Sequence, residues 1–467
     1  MILTLALRSL LSRPIRSAVL AGGFGLGVSV MAALLGIGGV ILEQARTPAL
    51  VGGGDVIIGN SIGRIGSAKF VLSNLQSNGS LGDRVTVVSP GSRARLYLID
   101  DRGATAVVAR GGIPSLERGL ADPETSGVES WVDTPADREW LSPRREDILR
   151  AMDRFHPIPD VPARVSSWSE WLYFNGRAGA TRFYLTFLAG PRLASGERTL
   201  NVRLQLERAG RLTSYSHSSF VTDEQLGSAP DISAGPNRVR LVGSEYRIRI
   251  DLAAESGGPR ASGEIVMRAA PGRSLPPFTM RGAGGWVSGY VVPVMSGELA
   301  GTIAVGRETI DLAGGTGYHD HNWGFWEGVR WQWGQVEGEG LAFVYGRVHP
   351  PADAADATRL PGFLVALGSE GPVGYATDVT IEQTNTSLGA DPGRIVVRGR
   401  GDSLALTLDF AVEQITTTRM GPRSFGSGMN FLQLRGTYRA SGRAGDRKIE
   451  FTAAGSAETF RLGPGQE

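Results

Sequence analysis

Cysteine is absent from the 467 residues, which excludes disulfides and thiolate metal sites and fits an exported bacterial protein. A strong charge bias is missing as well. The formal net charge is +2 and no basic cluster is interleaved with aromatics, so no nucleic acid is expected as a partner. The basic residues are almost all arginine, which reflects genome composition more than function. Histidine is sparse, at five residues. Long apolar runs are scarce too: one near the N-terminus reaches membrane-spanning length and no second one follows. Glycine, by contrast, is abundant, at 66 residues beside 25 prolines. The two fall between short alternating runs, which favours β structure. A hydrophobic content of 41% with 20% charged residues marks a folded chain, long enough for three modest domains.

Residues 1–16 form a basic amphipathic segment carrying Arg8, Arg13 and Arg16. From 18 to 42 there is no charge. At 1.5 Å per residue, about 25 residues span about 37 Å, enough to cross a bilayer core of about 30 Å with some tilt. A transmembrane helix over 17–43 is therefore expected. The arginines precede it and Glu43 follows, so the positive-inside rule places the N-terminus in the cytoplasm. The protein is then single-pass in a bacterial inner membrane, with the bilayer as one partner and the bulk of the chain periplasmic. A cleaved signal peptide is the rival reading, but the run is long for one and no clear A-x-A site follows. Gly23 and Gly27 give a small-xxx-small spacing, which composition alone also produces in so glycine-rich a segment.

Residues 44–164 read as a mixed α/β external region ending in a linker. Short strands are predicted at 55–58, 84–88 and 95–99. Ser142-Pro143 followed by Glu146 predicts a helix start, with Ile148, Met152 and Phe155 as its apolar stripe. His156 sits at the helix exit, and the proline-rich 157–162 cannot continue a helix. From 165 the pattern is β throughout, with strands predicted at 171–175, 182–188, 200–206, 238–241, 246–252 and 263–268. They resume at 331–336, 341–348, 404–412, 431–438 and 448–452. Trp171 precedes Phe183 by 183 − 171 = 12 positions and Trp331 precedes Phe343 by 343 − 331 = 12. This faint repeat suggests two related barrels in tandem, at 165–326 and 327–467. His217, in a hydroxyl-rich run without a nucleophile elbow, is expected at a strand end or loop.

Near the junction lies Gly317-Tyr318-His319-Asp320-His321-Asn322-Trp323-Gly324, a short polar strand or tight turn. If it is extended, Tyr318, Asp320 and Asn322 point one way and His319 and His321 the other. The two imidazoles on one face could ligate a metal, yet no spacing identifies a third ligand among His217, His349 or a distant carboxylate, and no metal is assigned. Two readings remain for the other face. Asp320 and Tyr318 could be catalytic, or the whole run could be a buried polar cluster that fixes the junction.

Three stretches resemble known families. Ser169-Glu170-Trp171-Leu172-Tyr173-Phe174-Asn175-Gly176, preceded by Arg154-Phe155-His156-Pro157, resembles the opening signature of the AttH/carotenoid-hydratase family. Gly315-Thr316 and the octapeptide resemble that family's second signature, so the likeness spans about residues 155–467. It implies a pair of lipocalin-like antiparallel barrels and no cofactor. It also implies Asp320 as the acid that protonates a carbon–carbon double bond, with Tyr318 beside it. Such an acid needs an apolar surround to stay protonated, which Tyr290, Trp286, Trp323 and Trp326 could supply. Where the hydratases carry a His-x-Trp, this chain reads Tyr290-Val291-Val292. The N-terminal Leu5-Ala6-Leu7-Arg8-Ser9-Leu10-Leu11, Arg13-Pro14-Ile15-Arg16 and the later Gly53-Gly54-Asp55-Val56-Ile57-Ile58 are similar to the first membrane helix and its sequel in macrolide-exporter and lipoprotein-release type ABC permeases.

The expected fold is thus mainly β: tandem lipocalin-like barrels after one N-terminal transmembrane helix and a small α/β region. The expected function is binding of an apolar, lipid- or isoprenoid-like small molecule, in a barrel interior or between barrels, in the service of ABC transporter subunits. The alternative is a hydratase or cyclase using Asp320. The expected ligand-binding set is His319, His321, Asn322, Trp323, Trp286, Tyr290, Glu170, Trp171, Tyr173 and Asn175.

Overall fold

Alternation of apolar and polar residues along a strand buries one face and wets the other, and most of this chain is built on it. Strand 237–242 reads buried and exposed in strict turn, and in Glu245–Ala254 Tyr246, Ile248, Ile250 and Leu252 point inward while Arg247 and Arg249 point out. In the computed structural model the described residues are 15, 56–58, 67–77, 84–101, 103–120, 129–270, 272–356, 360, 362–386, 391–419 and 429–462. They divide into two compact units, one of residues 1–65 with 87–138 and one of 66–86 with 139–467.

In the first unit, β1 (Ser92–Asp100) and β2 (Gly103–Gly111) form a hairpin, and a short helix, Pro114–Gly119, follows. The expected strands at 55–58 and 84–88 do not form: residues 56–58 and 85–90 join no ladder. Val87 instead packs its side chain toward Gly119. The expected transmembrane helix over 17–43 lies outside the described residues, among which no helix is long and apolar enough to cross a membrane. Of the residues that carry the permease resemblance, only Ile15 and 56–58 are described.

The second unit opens with helices α1 (Ala68–Ser77) and α2 (Arg145–Met152). Then come β3 (Trp168–Ala178), β4 (Thr181–Arg192), β5 (Arg198–Arg208), β6 (Arg211–Val221), β7 (Ser233–Ala234), β8 (Asn237–Val242), β9 (Glu245–Ala254) and β10 (Ala261–Ala269). β11 (Leu275–Arg281), β12 (Val287–Val305), β13 (Glu308–Asp311) and β14 (Thr316–Phe325) complete the first sheet. Eight of these strands close on themselves in the order β3-β4-β5-β6-β9-β10-β12-β14, with β14 pairing back to β3. The second sheet comprises β15 (Arg330–Gly338), β16 (Leu341–His349), β17 (Phe363–Gly368), β18 (Gly371–Ala376), β19 (Asp378–Asn385), β20 (Pro392–Arg400), β21 (Leu404–Arg419), β22 (Met429–Ala444) and β23 (Arg447–Leu462). Its order, β18-β17-β16-β15-β23-β22-β21-β20-β19, is antiparallel throughout. The protein is mainly β, with two barrel-like sheets.

Both sheets enclose packed apolar interiors. Phe174, Phe183, Leu185, Leu204, Ile248 and Ile265 fill the first, and Phe343, Leu364, Leu408, Phe410, Leu432 and Tyr438 the second. The repeat read from the sequence has a physical counterpart: Phe183 and Phe343 point into their barrels, while Trp171 and Trp331 point outward and lie 6.2 Å apart. His217 falls inside β6, paired with Val202, rather than in a loop.

Helix α2 differs from its prediction. Ser142 and Pro143 lie before it, Arg144 is the N-cap without a side-chain cap, and the helix ends at Met152, short of Phe155. Glu146 is drawn off to the Gly243 amide and to Arg150, at 2.8 and 2.9 Å. The turn at Asp153 is what the next element needs, because it carries that carboxylate to β14. Glycine is required where β14 crosses β12: Gly324 has φ +145°, and a Cβ there would sit 2.7 Å from Ser288 Cα. Gly324→Ala is expected to lower stability by about 1–3 kcal/mol. Gly340→Ala, at φ +74° with open space around it, should cost less, and thermal or urea unfolding of the two variants measures the difference.

Candidate functional site

Strand β14 presents two chemistries on its two faces. Inward, His319 stacks on Phe174 (4.0 Å, 12°) and meets Tyr246 edge-on. Its Nδ1 donates to the Tyr173 carbonyl at 2.9 Å and its Nε2 lies 2.9 Å from Asp153 Oδ2. His321 bridges two carboxylates, Nδ1 to Asp153 Oδ1 at 3.0 Å and Nε2 to Glu170 Oε1 at 2.9 Å. Glu170 also accepts from the His156 amide through both oxygens and holds His156 Nδ1 at 2.8 Å. Asp153, Glu170, His319 and His321 are all buried.

Buried charge persists only when it is paired, and the pKa directions follow from that. Burial alone would raise Asp153 and Glu170. The imidazoles of His319 and His321 hold Asp153 well below the carboxylate range, and bonds from His156 and His321 lower Glu170. Burial would lower His321, but Asp153 and Glu170 outweigh it and carry His321 up to about 9. His156, Glu170 and His321 offer ligand atoms within 4.8 Å of one another. Those atoms already satisfy each other at hydrogen-bond distance, and the second nitrogen of His321 is held by Asp153, so the set closes as an ion network. Asp153, at the C-cap of α2, is its keystone and was not singled out in the sequence: only its place just after a helical stripe could have suggested it.

Outward, Tyr318, Asp320 and Asn322 face the second barrel. A cavity of about 270 Å³ lies there, between the outer walls of the two barrels and outside both packed interiors. Strand register sets its first wall, with Asp320 beside Tyr173, Tyr173 beside Thr186 and Thr186 beside Arg203. On the opposite wall Trp333 pairs with Glu458 and Glu458 with Gln433. Aromatic rings fill the space around them: Trp171 to Trp326 4.6 Å, Trp326 to Trp331 5.3 Å, Tyr290 to Trp333 5.0 Å.

The two acids of the cavity are held alike. Asn322 Nδ2 donates to Asp320 Oδ1 at 2.6 Å, and the Tyr318 hydroxyl also bonds to Asp320. Trp333 Nε1 donates to the Tyr318 oxygen at 3.0 Å, which leaves the phenol proton for Asp320. Across the cavity Gln433 Nε2 donates to the Tyr173 oxygen at 3.0 Å, and Tyr173 bonds to Glu458, to which Trp331 Nε1 also donates at 3.3 Å. Burial, and then the charge of Glu458, push Asp320 well above the carboxylate range; burial pushes the half-buried Glu458 up to about 7. Two carboxyls that share an enclosed space cannot both ionise cheaply.

The expected site residues thus fall into two groups. Asp320, Tyr318, Asn322, Tyr290, Trp171 and Tyr173 meet at or beside the cavity, and Asn175 borders a small recess next to it. His319, His321 and Glu170 lie in the ion network, and Trp323 stacks on His156 (4.1 Å, 19°) at its edge. Trp286 is buried elsewhere, its Nε1 bonded to the Phe325 carbonyl at 3.0 Å. Of the aromatics expected around Asp320, Tyr290 and Trp326 line the cavity and Trp286 and Trp323 do not. Glu458 and Trp333 were missed, because nothing in a β strand near the C-terminus marks a glutamate as facing a strand 138 residues earlier.

The network makes stability depend on pH. A histidine raised from 6.5 to about 9 contributes stability that is complete below pH 6.5 and is lost as pH rises through about 9, of order 3 kcal/mol. His321→Ala leaves two buried carboxylates without their cation and is expected to cost about 3–5 kcal/mol. Its melting temperature should vary less than the wild type's between pH 6.5 and 9.5, and calorimetry over that range checks both.

No protein-family model matches the chain, and no curated protein matches it. Among solved structures, CghA with Sch210972 is 11% identical and covers 67% of this chain and 96% of that one, at a TM-score of 0.42. Kievitone hydratase from Nectria haematococca is 11% identical and covers 66% and 94%, at 0.43. A porin-like protein from Bacteroides uniformis reaches only 0.13 at 8% identity, over 64% and 97%. Scores below 0.5 leave each of these a loose likeness.

Proposed function

We propose that the cavity between the barrels binds a neutral, apolar, unsaturated small molecule and that Asp320 delivers a proton to one of its carbon–carbon double bonds. The observation that carries this reading is a carboxyl kept above its ordinary range inside an aromatic-walled cavity. A carboxyl raised so that it holds its proton more tightly than a free one is what general acid catalysis requires. The double bond takes the proton at its less substituted carbon and the other carbon becomes a tertiary cation. Water adds there, and the proton lost from that water returns to the Asp320 carboxylate, so one water is added overall and the acid is restored. Tyr318 and Asn322 donate to Asp320 and stabilise the carboxylate at the moment it forms. No cofactor enters this sequence.

Volume limits the ligand. At about 30 Å³ per water, a cavity of about 270 Å³ holds about nine waters. It therefore suits a ligand of about ten heavy atoms or the end of a longer chain. A second reading, capture of such a ligand without turnover, is favoured by the same indole-rich wall. For the setting we propose, from the sequence alone, a single membrane span before a periplasmic chain that serves an ABC-type export system.

Incubation of wild type and Asp320→Asn with geraniol and farnesol in 18O-labelled water tests the chemistry. Wild type is expected to yield a labelled alcohol, and Asp320→Asn to lose about 10²–10⁴-fold in rate. Tyr318→Phe should fall between the two. Turnover by Asp320→Asn at the wild-type rate would remove Asp320 as the acid, and tight binding of both alcohols without product would establish the second reading.

A further inference from the structure

Two carboxyls in one enclosed space invite the question of what balances them. Among the described residues, neither Asp320 nor Glu458 forms an ion pair with lysine, arginine or histidine; their partners are Asn322, Tyr318, Tyr173 and Trp331. Arg203, which lines the cavity, is engaged with Glu255 at 3.0 Å, and Arg435 with Glu207. The cavity therefore has aromatic walls and two acidic groups with no cationic partner among the described residues, and the arginine that lines it is already paired with Glu255.

We propose that Glu458, with the rings of Trp331 and Trp333, forms a cation subsite on the second-barrel wall, which takes the positive end of an apolar ammonium compound or the positive carbon formed in the cavity. Two features of the wall converge on it. Trp331 donates its N–H to Glu458 Oε2 at 3.3 Å, which fixes the carboxylate at the edge of the indole. Trp333 is Glu458's register partner on the next strand, and its own N–H is turned away to Tyr318. Indole faces attract cations through their quadrupole, more strongly where water is excluded. A carboxylate among them adds a full charge, and quaternary ammonium groups are the ligands such cages take. Asp320 and Glu458 then divide the work: one gives a proton to the ligand and the other faces the charge that results. The subsite rests on the reading of this cavity as the ligand site, and the two can fail separately.

The groups facing Glu458 are Tyr173 on β3, Tyr184 on β4, and Tyr318 and Asp320 on β14, with Trp331 on β15 and Gln433 on β22 beside it. Burial holds the three tyrosines above the ordinary phenol range, so they stay neutral through pH 8, and burial with the charge of Glu458 raises Asp320 well above the carboxylate range. Glu458, pushed up to about 7, is the one that changes charge between pH 6 and 8.

Isothermal titration of the full chain with benzyltrimethylammonium and with its neutral carbon isostere, neopentylbenzene, tests the subsite. At pH 8 the wild type is expected to bind the cation at least tenfold more tightly than the isostere, and at pH 6 that preference should shrink about fivefold or more. Glu458→Gln should lose the preference at pH 8 and still bind neopentylbenzene, which shows that its cavity is intact. Asp320→Asn should keep the preference. Equal affinities for the two ligands in the wild type, a preference unchanged from pH 6 to 8, or one that survives in Glu458→Gln would overturn the cation subsite. Tight binding of neopentylbenzene in any of those outcomes leaves the apolar ligand site standing. If neither compound binds, both the subsite and the ligand cavity fail, and the wild-type pH series alone decides the matter should Glu458→Gln not fold.

Discussion

The two-residue period of one strand governs this structure. β14 must place ionised side chains where they are paired and neutral acids where they are not, and alternation does both at once. His319 and His321 turn inward to Asp153 and Glu170, while Tyr318 and Asp320 turn outward to the cavity. The two faces are also linked electrically. The His321 charge lowers Asp320, in opposition to burial and to Glu458, so the ion network inside the barrel moderates how strongly the acid outside it holds its proton. A substitution in the network is therefore felt in the cavity without touching it.

The cavity lies between the barrels because neither barrel has room. Their interiors are filled by large apolar side chains, as close packing requires. The residual space falls where two convex outer walls meet and cannot interdigitate completely. Outer walls are also where strands carry polar residues, which is why this space combines indoles with carboxyls, amides and phenols. Each carboxyl is met by a tyrosine of the first barrel: Tyr318 serves Asp320 on its own strand, and Tyr173 reaches across the cavity to Glu458. Trp333 fixes the oxygen of Tyr318 beside Asp320, and Gln433 fixes that of Tyr173 beside Glu458. Each phenol is thereby oriented to donate to its acid rather than to accept from it.

Much of this was legible in the sequence, and the limits have physical reasons. Strand alternation identified about half of the strands and separated the two faces of 318–322, because period two is a local property. The helix after Ser142 was visible as a stripe, but its end was not. The chain leaves the helix at Asp153 to meet His319 and His321, a tertiary demand that no local propensity encodes. Trp171 and Trp331 stood out through their equal spacing to a phenylalanine and do meet across the cavity. Trp286 and Trp323 looked equivalent in the sequence and are not: one caps the Phe325 carbonyl and the other stacks on His156. Glu458 was out of reach because its role arises from pairing between two sheets, and an isolated glutamate on an alternating strand reads as solvated.

The central claim is that Asp320 is a neutral acid at physiological pH while Asp153, one strand wall away, is a carboxylate. Carbon-13 NMR of the protein labelled at aspartate carboxyls, with Asp320→Asn and Asp153→Asn to assign the two signals, measures this directly. The account predicts that at pH 7 the Asp320 carboxyl resonates at the protonated position and the Asp153 carboxyl at the ionised one. An Asp320 signal at the ionised position at pH 7 would contradict it.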